Sequence, residues 1–287
     1  MQAHMRPRRA LQAGCLVDLG VNTMARTGHQ EGTPVIAADL SFARLTWEEA
    51  GEAALRRDAL IIPVGSIEPH GPHLPLETDI IIAEAMAEAA ARTLRGEGTI
   101  TWVLPPLPYV VTDFARGFGG AVSVTSGEVA ALLSSAAASL ARLGFRKLAI
   151  ANAHLEPAHL ASLREAVTMA RRHSGVHLLF PDITTKRWGR MLTAEFRSGA
   201  CHAGRFETSI VMAREPATVR EEIRKSLIPN PTSLSEKIRE GVTTFKEAGG
   251  PMAYFGDPAA ATTEEGHATI ATLGGILASA IREGRSE

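Results

Sequence analysis

From Phe42 onward, short and nearly unbroken apolar runs alternate with longer stretches in which apolar residues recur every three or four positions. Runs of the first kind suit strands buried on both faces, and stretches of the second kind suit amphipathic helices. The pattern predicts strands over residues 59–64, 100–104, 147–151 and 176–180, each bounded by Gly, Pro or polar residues. Helices are predicted from Thr46, where Glu49 completes a capping box, over 79–94, over 127–143 with Gly144 as the stop, and over 157–173. A final helix opens at Thr262 with Glu265 three positions on, and Ile270, Leu273, Leu277 and Ile281 share one of its faces. Strands alternating with helices define the α/β class with a mostly parallel sheet. The Pro229-Asn230-Pro231 joint reads as a loop, so residues 41–287 are expected to form one domain.

Composition narrows the picture. The 287 residues are 45% hydrophobic and 21% charged, enough apolar material for a large core. Thirty Lys+Arg against 31 Asp+Glu speak against nucleic acid as a partner, since neutralising phosphates requires a basic surplus. No apolar stretch reaches the roughly 20 residues that cross a bilayer, so no membrane partner is expected. Two cysteines far apart, Cys15 and Cys201, point to a reducing cytoplasm rather than a disulfide framework. Residues 1–40 carry Arg6, Arg8 and Arg9 with Asp18 as the one acidic residue before Glu31; they read as a flexible leader, and Met24 is an alternative start.

Candidate chemistry gathers where strands end, which is where α/β folds build sites. Just past the first strand, Glu68 and His70 are separated by one residue and Asp79 opens the next helix. Pro69, Pro72 and Pro75 stiffen the loop between them. Past the strand at 147–151, His154 and Glu156 repeat the pair in mirror order. Five N/O side chains suit Zn or Mn, with Fe2+ also compatible, and they exceed the need of one catalytic ion. Two ions bridged by Asp79 are therefore expected. His202 belongs to neither pair, and an imidazole brought beside metal ions is what hydrolysis needs as a proton shuttle. Glu207 is a further ligand or a group that orients one. His73 and His159 are expected to line the pocket or to be structural, Cys201 to pack, and Trp47 and Trp102 to serve the core or an interface.

These motifs resemble the creatininase (creatinine amidohydrolase) family from about Leu45 to the C-terminal helix. VGSIEPHGPHLPLETD, residues 64–79, matches its first signature with Pro69 where Gln is usual; HAGRFETS, residues 202–209, and Gly256-Asp257-Pro258 match two more. The resemblance implies a three-layer α/β/α sandwich, a homo-oligomer that is usually a hexamer, and a dinuclear Zn/Mn centre that hydrolyses C–N bonds. It implies that Glu68, Asp79 and His154 hold one ion while His70, Asp79 and Glu156 hold the other. A hydroxide bridging the two would attack the amide carbonyl, with His202 passing the proton. Residues 118–123, FGGAVS, depart from the family's FPGTxS, and no tryptophan pair is placed to clamp a small flat ring. The expected substrate is accordingly a small cyclic or linear amide of lactam or formamide type other than creatinine, in a roomier pocket. The alternatives are a peptide-maturation hydrolase of the mycofactocin type and a metal-stabilised oligomeric scaffold without turnover.

Overall fold

The computed structural model describes residues 39–200 and 202–285. The expected leader lies outside the described residues except for its last two. Of these, Leu40 is buried and its carbonyl accepts a hydrogen bond from Val103 N at 2.7 Å, so the packed structure begins before the predicted boundary. Cys201 is also outside the description.

Helix α1 (Trp47–Arg56) opens with the predicted capping box: Thr46 Oγ1 accepts from Glu49 N while the Glu49 carboxylate accepts from Thr46 N. There follow β1 (Ala59–Val64), α2 (Thr78–Gly96), β2 (Thr101–Val103), α3 (Ser126–Leu143), β3 (Lys147–Asn152), α4 (Pro157–Ser174) and β4 (Leu178–Leu179). Gly144 stops α3 at φ 115°, a conformation that costs a residue with a Cβ about 1 kcal/mol or more. The last third holds the short helices α5 (Lys186–Gly189) and α6 (Ala194–Ser198), the longer α7 (Arg205–Arg214), the short α8 (Glu221–Ser226) and α9 (Leu234–Arg239), and α10 (Thr263–Glu283).

All four strands pair in parallel in the order β2-β1-β3-β4. Alternate residues of each strand serve opposite faces, as a period of two requires. Ile61, Ala149 and Ala151 join Ala83, Met86, Ala87, Leu273, Ile276 and Leu277 from α2 and α10 on one side. Leu60, Ile62, Leu148 and Ile150 join Leu133, Ala137, Leu163 and Ala166 from α3 and α4 on the other. The result is a three-layer α/β/α sandwich. Of the predicted tryptophans, Trp102 is buried and donates from Nε1 to Asp58, whereas Trp47 is 84% exposed.

One consequence of this wiring positions the site. The chain leaves β1 for a helix on one face and leaves β3 for a helix on the other, although the two strands are neighbours with Val64 opposite Asn152. The loops after them diverge and open a crevice, the switch point at which open α/β sheets bind ligands.

Candidate metal centre

Three stretches meet in that crevice. Gly65 follows β1 directly, and an added Cβ there would lie 2.6 Å from the Asp79 backbone, so the first turn of α2 can sit directly against the strand end. Ser66 Oγ donates to Asp79 Oδ2 at 2.8 Å, and Thr112 Oγ1 donates to Glu68 Oε2. Glu68, His70, Asp79, His154, His202 and Glu207 are all buried. The ligand-type atoms fall into three groups within which every atom lies inside 4.8 Å of the others: Glu68, Asp79 and His154; His70, Asp79 and Glu207; Glu68, His70 and His202.

The histidines are oriented by the backbone. His70 Nδ1 lies 3.1 Å from Glu68 O, His154 Nε2 lies 2.9 Å from Val111 O, and His202 Nε2 lies 3.0 Å from Pro69 O. A carbonyl only accepts, so each of these nitrogens carries the proton in the neutral ring and the opposite nitrogen offers its lone pair. Those lone pairs face carboxylates. His154 Nδ1 is 3.0 Å from Asp79 Oδ2 and 3.2 Å from Glu68 Oε1. His70 Nε2 is 3.2 Å from Asp79 Oδ1 and 3.7 Å from Glu207 Oε2, and as a neutral acceptor it finds no hydrogen-bond donor. Acceptors turned on acceptors in a buried space are reconciled by a proton on the imidazole or by a cation between them.

The protonation tendencies express the same demand. Burial opposes charge on His70, but the Asp79, Glu207 and Glu68 carboxylates outweigh it and raise the ring to about 10. His154 is likewise raised against burial by Glu68 and Asp79. Glu68 is lowered to about 2 because His154 overcomes its desolvation, whereas burial pushes Glu207 up to about 8 against the pull of His70. Protons on these groups supply positive charge that divalent ions would supply instead.

The resemblance paired Glu156 with His70 and Asp79; the structure brings Glu207 to that place. Glu207 sits in the first turn of α7, where Ala203 N donates to its Oε2 at 2.5 Å. Glu156 precedes α4, accepts from Phe114 N at 3.1 Å, and approaches only the far nitrogen of His154, at 3.9 Å. Burial raises its carboxyl, and the group lines the same cavity as His202. His202 stacks on Phe245 with ring centroids 4.2 Å apart and its Nδ1 lies 3.8 Å from Glu68 Oε1.

Of the two readings left open for His73 and His159, the structural one fits: His73 Nε2 bonds Thr208 Oγ1 at 2.9 Å and His159 Nε2 bonds Asn152 Oδ1 at 2.8 Å, and neither lines this cavity. The FGGAVS segment is absent from the lining too, because Phe118 turns to Phe245 and Lys246. The cavity of about 360 Å³ has apolar walls of Phe114, Leu155, Phe196, Leu234, Ile238 and Phe245.

Sequence reasoning missed Phe245, Thr112 and Glu195. The Glu195 carboxylate accepts from Phe206 N and Asp257 N, both at 2.7 Å, and so ties the α7 entry to the Gly256-Asp257-Pro258 turn. A Cβ on Gly204 would lie 2.7 Å from Glu195 Oε2 and one on Gly256 2.2 Å from Oε1, so both motif glycines leave room for this one carboxylate. The glycines were visible in the sequence; their reason was not.

A parallel α/β sandwich with a buried His/Asp/Glu cluster at its switch point offers groups that could hold a metal ion where such folds bind ligands. The chain belongs to the creatininase family: the family model described as creatinine amidohydrolase matches residues 43–281. It is 30% identical over 222 residues to the mycofactocin precursor peptide peptidase of Mycobacterium tuberculosis H37Rv, covering 75% of this chain and 81% of that one. It is 25% identical over 194 residues to the creatinine amidohydrolase of Pseudomonas putida, covering 61% of this chain and 72% of the other. A crystal structure of creatininase superposes with a TM-score of 0.71 at 21% identity, over 88% of this chain and all of that one. A structure titled as the manganese form of creatininase gives 0.68 at 20% identity, over 87% and 100%.

Proposed function

We propose that this chain is a dinuclear metal-dependent amidohydrolase, with Glu68, Asp79 and His154 holding one divalent ion, and His70, Asp79 and Glu207 the other. The observation that carries the reading is the orientation of His70 and His154: each directs one ring nitrogen at two or more carboxylates within 4 Å while its other nitrogen is held by a backbone carbonyl. Asp79 belongs to both groups, one oxygen facing each histidine. The donor set of imidazole and carboxylate fits Zn2+, Mn2+ or Fe2+. Bound there, such ions would supply Lewis-acid polarisation of the amide carbonyl and acidify water at neutral pH.

The chain's own residues supply the rest. Pro69 O fixes the proton on His202 Nε2, and stacking on Phe245 fixes the ring plane, so Nδ1 is presented to the cavity floor as a base. Burial, with His70 beside it, lowers His202 to about 4, which keeps Nδ1 free to take a proton from attacking water and return it to the departing nitrogen. Glu156, raised by burial, faces the same space and can hold a second proton. The open cavity above the cluster favours turnover over a purely structural site, whose coordination would be closed.

The substrate class is an amide C–N bond in a molecule larger than creatinine, because the walls are apolar and aromatic rather than shaped around a single small ring. A peptide substrate is the second reading, favoured by the 30% identity to a peptide peptidase. The reading extends to a cytoplasmic homo-oligomer, with exposed Trp47 and Leu55 on α1 available as a contact face. Elemental analysis of the purified protein, followed by a hydrolysis screen of creatinine, bulkier lactams and short peptides, tests it. Two ions per chain and amide cleavage by the loaded protein are expected. One ion unchanged by added Zn or Mn would remove the dinuclear assignment, and inertness toward every amide would remove the hydrolase.

A further inference from the structure

The cavity above the carboxylate cluster is divided by charge along its depth. Its acidic lining residues, Glu68, Asp79, Glu156 and Glu207, are all buried at the floor. Its charged lining residues beyond the floor are all cationic: Lys186 and Arg190 from α5 and its end, and Arg197 from α6. All three are exposed. None forms an ion pair among the described residues, although Arg187, their neighbour in α5, is paired with Glu283 at 2.7 Å. The remaining lining is mostly apolar, with Thr184, Thr185 and Ser235 as its uncharged polar side chains.

A ligand matching this profile has a scissile amide at the floor, an apolar or aromatic middle, and an anionic group pointing outward. We propose that the rim formed by Lys186, Arg190 and Arg197 selects substrates with a free carboxylate, so that the substrate class is an N-acyl amino acid or short peptide with an unblocked C-terminus. This rests on the amidohydrolase reading and narrows it. Arginine is suited to the role because its guanidinium presents paired N–H donors that match both oxygens of a carboxylate. With four carboxylates on the floor, a cationic rim also supplies the field that draws an anion inward, an effect carried mostly by the association rate and weakened by salt. Neutral rings such as creatinine gain nothing from it.

The test uses the metal-loaded full chain and N-benzoylglycyl peptides ending in one to three further residues, each as free acid and as methyl ester. The expected result is a kcat/KM for the preferred acid about tenfold or more above its ester at low ionic strength, shrinking as salt rises from about 20 to about 300 mM. In Arg190→Glu/Arg197→Glu, both at exposed positions, the ratio should fall to about one or below. Equal acid and ester rates in the wild type overturn the proposal. So does an acid preference that survives the double charge reversal, because it would then come from the metal ions. Calorimetric titration of the same acids and esters provides the second readout. Rim-dependent preference for the acid in binding without any turnover supports this inference and overturns the hydrolase reading alone; turnover without preference does the reverse.

Discussion

Two adjacent glycines in α10 should respond to the same substitution with opposite signs. A Cβ on Gly274 would lie 2.5 Å from Ala89 Cβ and 3.0 Å from the Ala89 and Ala90 backbone, because α10 packs its small residues directly on α2. A Cβ on Gly275 would meet nothing within 4 Å. Helix propensity alone favours alanine by up to about 1 kcal/mol at either position. At Gly275 that gain stands unopposed. At Gly274 it is set against overpacking of roughly 1–3 kcal/mol, since the obstructing atoms include backbone and cannot rotate aside. The net change is thus destabilising by up to about 2 kcal/mol for Gly274→Ala and stabilising by up to about 1 kcal/mol for Gly275→Ala. For a chain of this size each kcal/mol moves Tm by roughly 2–4 °C. Differential scanning calorimetry of the two variants beside the wild type should show melting points on either side of the parent. If Gly274→Ala melted at or above the wild type, the close approach of α2 and α10 would be wrong, and with it the packing that sets the direction of α2 from Asp79 onward.

Replacing His202 by Ala should lower turnover by about a hundredfold or more with metal content intact, as the loss of a general acid-base group does; loss of an ion in elemental analysis would make it a ligand instead. Loading the metal-free protein near pH 7 should release roughly two to three protons, because His70, His154 and Glu207 all sit above neutrality until an ion displaces their protons; calorimetry in buffers of different ionisation enthalpy measures this, and zero release would refute it. Burial, aided by His70, lowers His73 to about 4 from the usual 6.5, so the stability tied to its neutral form is full above about 6.5 and is lost as pH falls toward 4. Chemical denaturation of His73→Gln should show a shallower acid slope across that window than the wild type. Glu195→Ala, which strands the amides of Phe206 and Asp257, should cost about 2–4 kcal/mol in a urea titration, and a loss below about 0.5 kcal/mol would deny it a positioning role.

What the sequence made legible follows from the range of the interactions involved. Strand β1 lies where the apolar run placed it, α1 and α10 begin at their predicted caps and α3 stops at its predicted glycine, because capping and burial periodicity act within one or two turns. Helix α2 starts one residue before the predicted Asp79, and β4 shrinks to Leu178–Leu179 at the sheet edge, where only β3 is available as a partner. Strand-end positions announced Glu68, His70, Asp79 and His154. The exchange between Glu156 and Glu207 was not legible. Both carboxylates are near a histidine in sequence, and only the path of α7 across the crevice decides which one reaches His70. Phe245 and Glu195 carry no local motif at all: one acts by stacking on a ring 43 residues away, the other by accepting from backbone amides of two distant segments, and a backbone donor leaves no trace in side-chain pattern.

The raised histidines of the cluster bear on when, in the life of a newly made chain, the proposed ions would arrive. Protons on His70 and His154 act as placeholders that keep Glu68 and Asp79 neutralised, and the surrounding sheet and helices close around them through apolar contacts that involve no ligand atom. On the proposed reading, synthesis and collapse can therefore finish first and metallation follow as a separate late event. The choice between zinc and manganese then falls to whichever ion the compartment supplies to a finished pocket, and growth conditions, as much as coordination preference, would set the composition of the mature centre.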